Sequence, residues 1–302
     1  MSCFEIFNPA AVFIFFTCVI VSGIFTMNPV ITVISLAGAL ALWIVMPGKK
    51  NNRIHIYTAL MTLACMIFNP VFGHNGATVI VVINNHNVTV EAGLYGIFLG
   101  LMLSAAVYWF ASFSQIMTSD KIIYITGFIS QKAAIVLTMA LRFIPMYIRK
   151  AGQINSSQKA LGLYKDETIV SRLRGFAKVF SILLTYMIEK TIITSDSMSA
   201  RGYGGGRRRN FSLYSFGRRD VIFLIVSVVF TACTVYASSK GALVYNFYPY
   251  ADMPSKSFAA LTGYIGYGLL CICPSLTEGG NRLKWHYLKS KISHSDIRLP
   301  TR

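Results

Sequence analysis

Charged residues are scarce in this sequence, and acidic residues are the scarcest. Asp and Glu number 11 against 28 Lys and Arg, so only 13% of the 302 residues are charged, whereas 54% are hydrophobic. A soluble globular domain carries about 25% charged residues. The deficit excludes an ordinary water-soluble protein and favours a polytopic membrane protein.

Motifs of catalysis and metal binding are also missing. The sequence contains no GxxxxGK[ST] nucleotide-binding loop, no HExxH and no Ser-His constellation. Its six cysteines lie mostly within apolar runs, which favours buried free thiols over a disulfide framework or a zinc site. The sequence therefore predicts no ATP hydrolysis by a nucleotide-binding loop of this type, and an integral membrane enzyme stays open at this point.

Six apolar runs are long enough, or nearly so, to cross a bilayer core of about 30 Å. They cover residues 8–27, 29–46, 54–72, 91–113, 221–237 and 257–273. Between the third and fourth runs, a Val/Ile stretch and an Asn-rich turn predict a short external β-hairpin. The predicted fold is an all-α polytopic membrane protein with about six transmembrane helices and long helices on the cytoplasmic side.

The positive charges fall on one side of this topology. Of the 28 Lys and Arg residues, 26 lie in segments 47–53, 113–219 and 275–302, which six spans place together with both termini. The positive-inside rule makes that side the cytoplasm. The net charge of +17 is thereby explained without a nucleic-acid partner, and we predict a multi-pass protein of the cell membrane with both termini cytoplasmic.

The spans divide the chain into four parts. We predict an N-terminal transmembrane bundle over 1–113, with four spans and the external hairpin at 73–90. A C-terminal transmembrane hairpin covers 220–275 and a basic cytoplasmic tail covers 276–302. The region 114–219 is basic and fairly apolar, and its spacing of apolar residues predicts long amphipathic helices. A proline in its LRFIP stretch should kink or break one of them.

One helical run of this cytoplasmic region ends in Ala-Arg-Gly, at Ala200, Arg201 and Gly202. In the plainest interpretation Gly202 is a helix C-cap and Arg201 favours the negative end of the helix dipole. Alternatively, the helix end inserts into a groove on a partner protein, where a guanidinium can pair with a carboxylate. A phosphate-binding loop is disfavoured because no Lys-Ser or Lys-Thr pair follows the glycines. A basic cluster that we predict to contact lipid headgroups follows at Arg207, Arg208 and Arg209.

Five short motifs are spread over most of the chain. They are NP at 8–9, MNP at 27–29, MTSDK at 117–121, LRFIP at 141–145 and DSMSARGYG at 196–204. In this order and topology the chain resembles the transmembrane T component of energy-coupling factor (ECF) transporters, the family that includes the cobalt-transport Q proteins. In that family two coupling helices each end in an Ala-Arg-Gly-like motif that seats in a groove of one ABC-type ATPase subunit.

The resemblance assigns both motifs of this chain. The second motif consists of Ala200, Arg201 and Gly202. The first, about forty residues earlier by the family pattern, consists of Ala160, Leu161 and Gly162. Leu161 stands where the family pattern has arginine. Two alternatives stay open: the first contact is apolar, with Lys159 supplying a charge, or the two ATPase subunits are engaged unequally.

The resemblance implies a coupling subunit of an ECF-type ABC importer for vitamin or metal-ion uptake, which is not itself an enzyme and binds no cofactor or metal directly. Its implied partners are two ABC-type ATPase subunits, which use ATP and magnesium, a small substrate-binding membrane protein and membrane lipid. An integral membrane enzyme or a stand-alone permease is the alternative, and either should show polar sites within the membrane. The predicted spans contain only Glu91, at an external edge, and His55, which we interpret as an interfacial side chain.

Overall fold

The computed structural model describes residues 7–46, 52–73, 76–83, 86–162, 169–203, 214, 216–249 and 252–295. Its helices are α1 (Pro9–Phe25), α2 (Pro29–Val45), α3 (Arg53–Phe72), α4 (Val90–Ile116), α5 (Ser119–Ile129), α6 (Gln131–Ala160), α7 (Ile169–Ala200), α8 (Arg218–Ser239) and α9 (Phe258–Ser295). Between α3 and α4, the strands β1 (Val79–Ile83) and β2 (His86–Thr89) form an antiparallel hairpin with an irregularity between Val79 and Val81. The protein is an all-α polytopic membrane protein apart from this hairpin.

Five of the described helices are long and apolar enough to cross a membrane. The helices α3, α4, α8 and α9 coincide with predicted spans, and α6 also meets both criteria although the sequence analysis placed it on the cytoplasmic side. The apolar helices α1 and α2 have 17 residues each, or about 26 Å at 1.5 Å per residue, slightly less than a bilayer core. Length and composition therefore do not separate α6 from the predicted spans.

Two helices continue through a proline, Pro274 in α9 and Pro145 in α6. The helix α9 runs through Pro274 to Ser295, whereas the predicted last span ended at residue 273. The helix α6 likewise continues through Pro145. A proline removes one backbone hydrogen bond from a helix, but the turns on either side of it keep theirs and the helix is not broken.

The chain folds into two compact units. The first unit joins Met1–Ser119 to Tyr214–Arg302, and within it α2 packs against α4 and α9, α1 against α8, α8 against α9, and α3 against α4. The largest fully buried side chains of this unit include Phe15, Phe16, Trp109, Tyr267 and Leu270. In the second unit, Asp120–Leu213, α6 packs against α7.

Asparagine side chains begin the first two helices. Asn8 Oδ1 accepts from the N–H of Ala10 at 3.0 Å, and Asn28 Oδ1 accepts from the N–H of Val30 at 3.0 Å. In each case proline occupies the first helical position, where its missing N–H costs nothing. Asn28 Nδ2 also donates to the carbonyl of Leu243 at 3.2 Å. The start of α2 is thereby fixed to the segment that joins α8 to α9.

Candidate functional site

The second predicted motif lies at the C-terminal end of α7. The N–H of Tyr203 donates to the carbonyl of Met198 at 3.0 Å, and the N–H of Gly202 donates to the carbonyl of Ser199 at 2.9 Å. This bond pair is a Schellman cap, in which Gly202 takes the left-handed position with a φ of +72°. No described atom lies within 4 Å of the position that a Cβ on Gly202 would occupy. Backbone conformation, not crowding, is the reason for glycine here.

The cap determines how Arg201 is presented. Arg201 lies between the last helical residue, Ala200, and the capping Gly202, and all three residues are exposed. The backbone N–H of Arg201 still bonds to the helix, at 3.1 Å from the carbonyl of Met198. The guanidinium is therefore carried by an ordered backbone and flanked by two residues with little or no side chain. A planar cation in this setting suits a bidentate contact with a carboxylate or a phosphate.

The first predicted motif also ends its helix, α6, with a glycine in the left-handed position. The N–H of Leu161 donates to the carbonyl of Ser157 at 3.1 Å, and the N–H of Gly162 donates to the carbonyl of Lys159 at 3.0 Å. Gly162 has a φ of +81°, so it occupies the same position in its cap as Gly202 does in α7. Leu161 is 78% exposed. The two motifs thus share a backbone frame and differ in the side chain that the frame presents.

The contacts between α6 and α7 show that the two helices run antiparallel. Phe143 and Thr194 line one groove of about 340 Å³. Further towards the C-terminus of α6, Lys150 Nζ lies 5.0 Å from the ring centroid of Tyr186, which is further towards the N-terminus of α7. The two glycine-capped ends therefore lie at opposite ends of the helix pair.

The basic cluster Arg207, Arg208 and Arg209 lies outside the described residues, so its contact with lipid stays a prediction. Exposed basic side chains do occur on the described helices of the second unit. They include Arg149, Lys159, Arg172 and Arg174. The unit is consequently basic on α6 and α7 themselves, independently of that cluster.

His55 belongs to a polar network between α3 and α4. His55 Nδ1 lies 2.7 Å from Tyr108 Oη, which lies 3.1 Å from Thr58 Oγ1. One turn further along α3, Thr62 Oγ1 lies 2.8 Å from Ser104 Oγ. The network ties one helix to the other, which is a structural role. Among the described residues no group of three or more His, Cys, Asp or Glu is placed to hold a metal ion.

Two carboxylates of the first unit occupy buried positions. Glu91 accepts from the backbone N–H of Thr78 at 3.2 Å and from the Thr78 hydroxyl, so it fixes the β-hairpin to the start of α4. Glu278 is 1% exposed on α9. Glu278 was not predicted as a buried group, because the predicted last span ended at residue 273. Only the continuation of the helix brings this carboxylate into the packed unit.

The described helices α1 to α7, with both glycine-capped ends, fall within a region that matches a known family. The family is CbiQ, described as cobalt transport protein, and the match covers residues 6–213. The chain belongs to the CbiQ family. Family membership and the apolar helices together make it a multi-pass membrane protein.

Individual relatives of this CbiQ-family chain are energy-coupling factor transporter transmembrane proteins named EcfT. The relative from Bacillus selenitireducens is 28% identical over 108 residues, which are 35% of this chain and 40% of the relative. The relative from Lactobacillus helveticus is 28% identical over 93 residues, 30% of this chain and 34% of the relative. EcfT 1 from Listeria monocytogenes is 28% identical over 101 residues, 33% and 38% respectively. The chain thus spans two fifths or less of these relatives' lengths.

Proposed function

We propose that the chain is the transmembrane coupling (T) component of an ECF-type ABC importer in the cell membrane. Its partners are two ABC-type ATPase subunits and a small membrane protein that binds the substrate, a vitamin or a metal ion. The ATPase subunits use ATP and magnesium, and this chain transmits their movement without catalysing a reaction. Membership of the CbiQ family and the names of the EcfT relatives support this proposal.

The observation that carries the proposal is the pair of equivalent helix ends. Each end places one exposed side chain, Leu161 or Arg201, between an alanine and a capping glycine. The small neighbours let another backbone approach closely, so the central side chain can enter a groove.

The dimensions of the helices suit the transmission of movement. With 30 and 32 residues, α6 and α7 are about 45 and 48 Å long at 1.5 Å per residue. Because the motifs lie at opposite ends of the antiparallel pair, closure of the two ATPase subunits on ATP would change the separation of the motifs. Packed helices accommodate such a change by shear or hinge motion, which would reach the substrate-binding protein through the apolar faces of α6 and α7.

Arg201→Glu tests the proposal, with Arg172→Glu as a matched control at another exposed arginine of α7. The tagged chain is purified from membranes of its own host in mild detergent, and the associated proteins are quantified by mass spectrometry. We expect the wild-type chain and Arg172→Glu to retain two proteins with nucleotide-binding motifs and one small polytopic protein. Arg201→Glu should reduce an ATPase subunit by about tenfold or more, since reversing the charge of a paired arginine costs more than about 1.4 kcal/mol. Equal retention by both variants would contradict the proposal.

A further inference from the structure

We infer that one turn of α9 binds the headgroups of anionic lipids at the point where the helix leaves the membrane. This turn, the headgroup collar, consists of Arg282, Leu283, Lys284 and Trp285. It lies outside residues 6–213, which match the CbiQ family. The inference needs only that the chain is a membrane protein, so it is independent of the ATPase and substrate-binding partners proposed above.

The uncharged first part of α9 sets the depth of the collar. From Phe258 to Thr277 the helix contains no Asp, Glu, Lys or Arg. This segment is about 30 Å long at 1.5 Å per residue, which is the thickness of a bilayer core. The helix then continues without interruption to Ser295. The Cα atoms of the collar therefore follow at about 8 to 12 Å beyond the core.

The direction of the helix brings the collar side chains back towards the bilayer. Side chains of an α-helix lean towards its N-terminus, and the N-terminal part of α9 is the membrane-spanning part. The ends of the Lys284 and Trp285 side chains consequently lie about one turn, or about 5 Å, nearer to the core than their Cα atoms. That position falls within the headgroup layer, which is about 5–8 Å thick on each side of the core.

The chemistry of the collar suits an anionic headgroup. Guanidinium and ammonium groups pair with lipid phosphates, and an indole ring favours the layer between acyl chains and water. The one acidic residue of α9, Glu278, is 1% exposed, so it offers no competing carboxylate at the surface. The collar is therefore a site for lipids that carry a net negative charge.

The exposure of the collar favours lipid over a protein partner. Four consecutive residues surround a helix, because each is rotated by about 100° from the one before it. Leu283 is 74% exposed, Trp285 is 57% exposed and Lys284 is also exposed, whereas Arg282 is half-buried. A single protein surface would cover only one side of this turn. Lipids around an upright helix contact every exposed side, and the headgroup layer accommodates both the cations and the apolar side chains.

Tryptophan emission tests the inference, because Trp43 and Trp109, the other two tryptophans, are only 2% and 1% exposed. The full-length chain is reconstituted in phosphatidylcholine vesicles with about one quarter phosphatidylglycerol, an anionic lipid. One lipid or the other carries bromine, a contact quencher, near the headgroup end of its acyl chains. The difference between the wild type and Trp285→Phe isolates the emission of Trp285.

We expect brominated phosphatidylglycerol to quench Trp285 at least about twice as strongly per mole as brominated phosphatidylcholine, since each cation near the surface attracts anionic lipid. Equal quenching by the two lipids overturns the preference for anionic headgroups. Quenching by aqueous iodide but by neither lipid overturns the contact with the bilayer.

Glutamine substitutions test the two cations of the collar. The double variant Arg282→Gln/Lys284→Gln should lose the preference for phosphatidylglycerol, while phosphatidylcholine still quenches Trp285 at its unchanged depth. Lys289→Gln is the matched control, because Lys289 is exposed on the same helix but lies about 18 Å beyond Thr277, outside the headgroup layer. Both variants should unfold at the wild-type temperature. Retention of the preference by the double variant, or its complete loss in Lys289→Gln, overturns the assignment of the collar.

Discussion

The backbone N–H of Asn8 donates a 3.0 Å hydrogen bond to Oδ1 of Asp220, a residue 212 positions further along the chain. The second oxygen of the same carboxylate accepts from the N–H of Gly217 at 2.9 Å. One buried side chain thus caps the start of α8 and holds the start of α1 beside it. Together with the bond from Asn28 to the carbonyl of Leu243, it fastens the first two helices to the last two.

Asp220→Ala should destabilise the protein by about 2 kcal/mol or more, because the buried N–H of Asn8 and the partly buried N–H of Gly217 would lose their acceptor. Asp220→Asn keeps one carbonyl oxygen and should lie between Asp220→Ala and the wild type. Thermal unfolding in detergent, followed by circular dichroism, measures both changes. Asp196→Ala, at an exposed aspartate of α7, serves as the control. Unfolding of Asp220→Ala at the wild-type temperature would show that the carboxylate does not stabilise the fold.

Ser35 is the centre of a second long-range connection. Trp109 Nε1 on α4 donates to Ser35 Oγ at 3.2 Å, and Tyr267 Oη on α9 lies 3.0 Å from the same oxygen. Ser35→Ala on α2 should lower the free energy of unfolding by about 1–2 kcal/mol, because the indole N–H is buried and loses its acceptor. The matched control is Thr17→Ala, since Thr17 is exposed and its hydroxyl donates to the carbonyl of Phe13 in its own helix. Equal unfolding temperatures for the two variants would contradict this role.

The fold could be predicted from the sequence to the extent that it depends on local properties. Apolar runs predicted most of the spans, since a helix that crosses lipid needs length and apolarity. The Asn-Pro pairs marked helix starts because they cap locally. The last span was predicted to end at residue 273, but α9 continues through Pro274 to Ser295, and Glu278 was missed for that reason.

The helix end at the candidate site could be predicted from the sequence, but the packing of the helices that carry the site could not. Gly202 was expected to end a helix, and the structure shows that it does, with the left-handed φ that favours glycine. The cap at Gly162 is local too, since glycine favours the left-handed position at a helix end. The antiparallel arrangement of α6 and α7 depends on packing that no local pattern encodes. The bond between Ser35 and Tyr267 joins residues 232 positions apart. A serine within an apolar run does not by itself indicate which distant residue it will bond to.

Gly96 and Gly93 on α4 form a matched pair for testing the packing of α3 against α4. A Cβ on Gly96 would lie 2.6 Å from the carbonyl oxygen of Cys65 on α3, whereas no described atom lies within 4 Å of one on Gly93. Gly96→Ala should destabilise the protein by about 1–3 kcal/mol, as overpacking does. Gly93→Ala should be neutral or stabilise it by up to about 1 kcal/mol, because alanine favours helix. Thermal unfolding of the two variants is measured under identical conditions. Equal stability of the two variants would contradict a close helix contact at Gly96.

Alanine substitutions at Gly202 and Gly152 separate the effect of backbone conformation from that of steric crowding. No described atom lies within 4 Å of a Cβ at either position, but Gly152 lies within α6 while Gly202 has a φ of +72°. Gly152→Ala should raise the free energy of unfolding by about 0.5–1 kcal/mol, since alanine loses less chain entropy in a helix. Gly202→Ala should lower it by about 1 kcal/mol, because a side chain is strained in the left-handed region. Chemical denaturation in detergent measures both changes. Shifts of the same sign would mean that the cap at Gly202 does not hold the left-handed conformation on which the presentation of Arg201 depends.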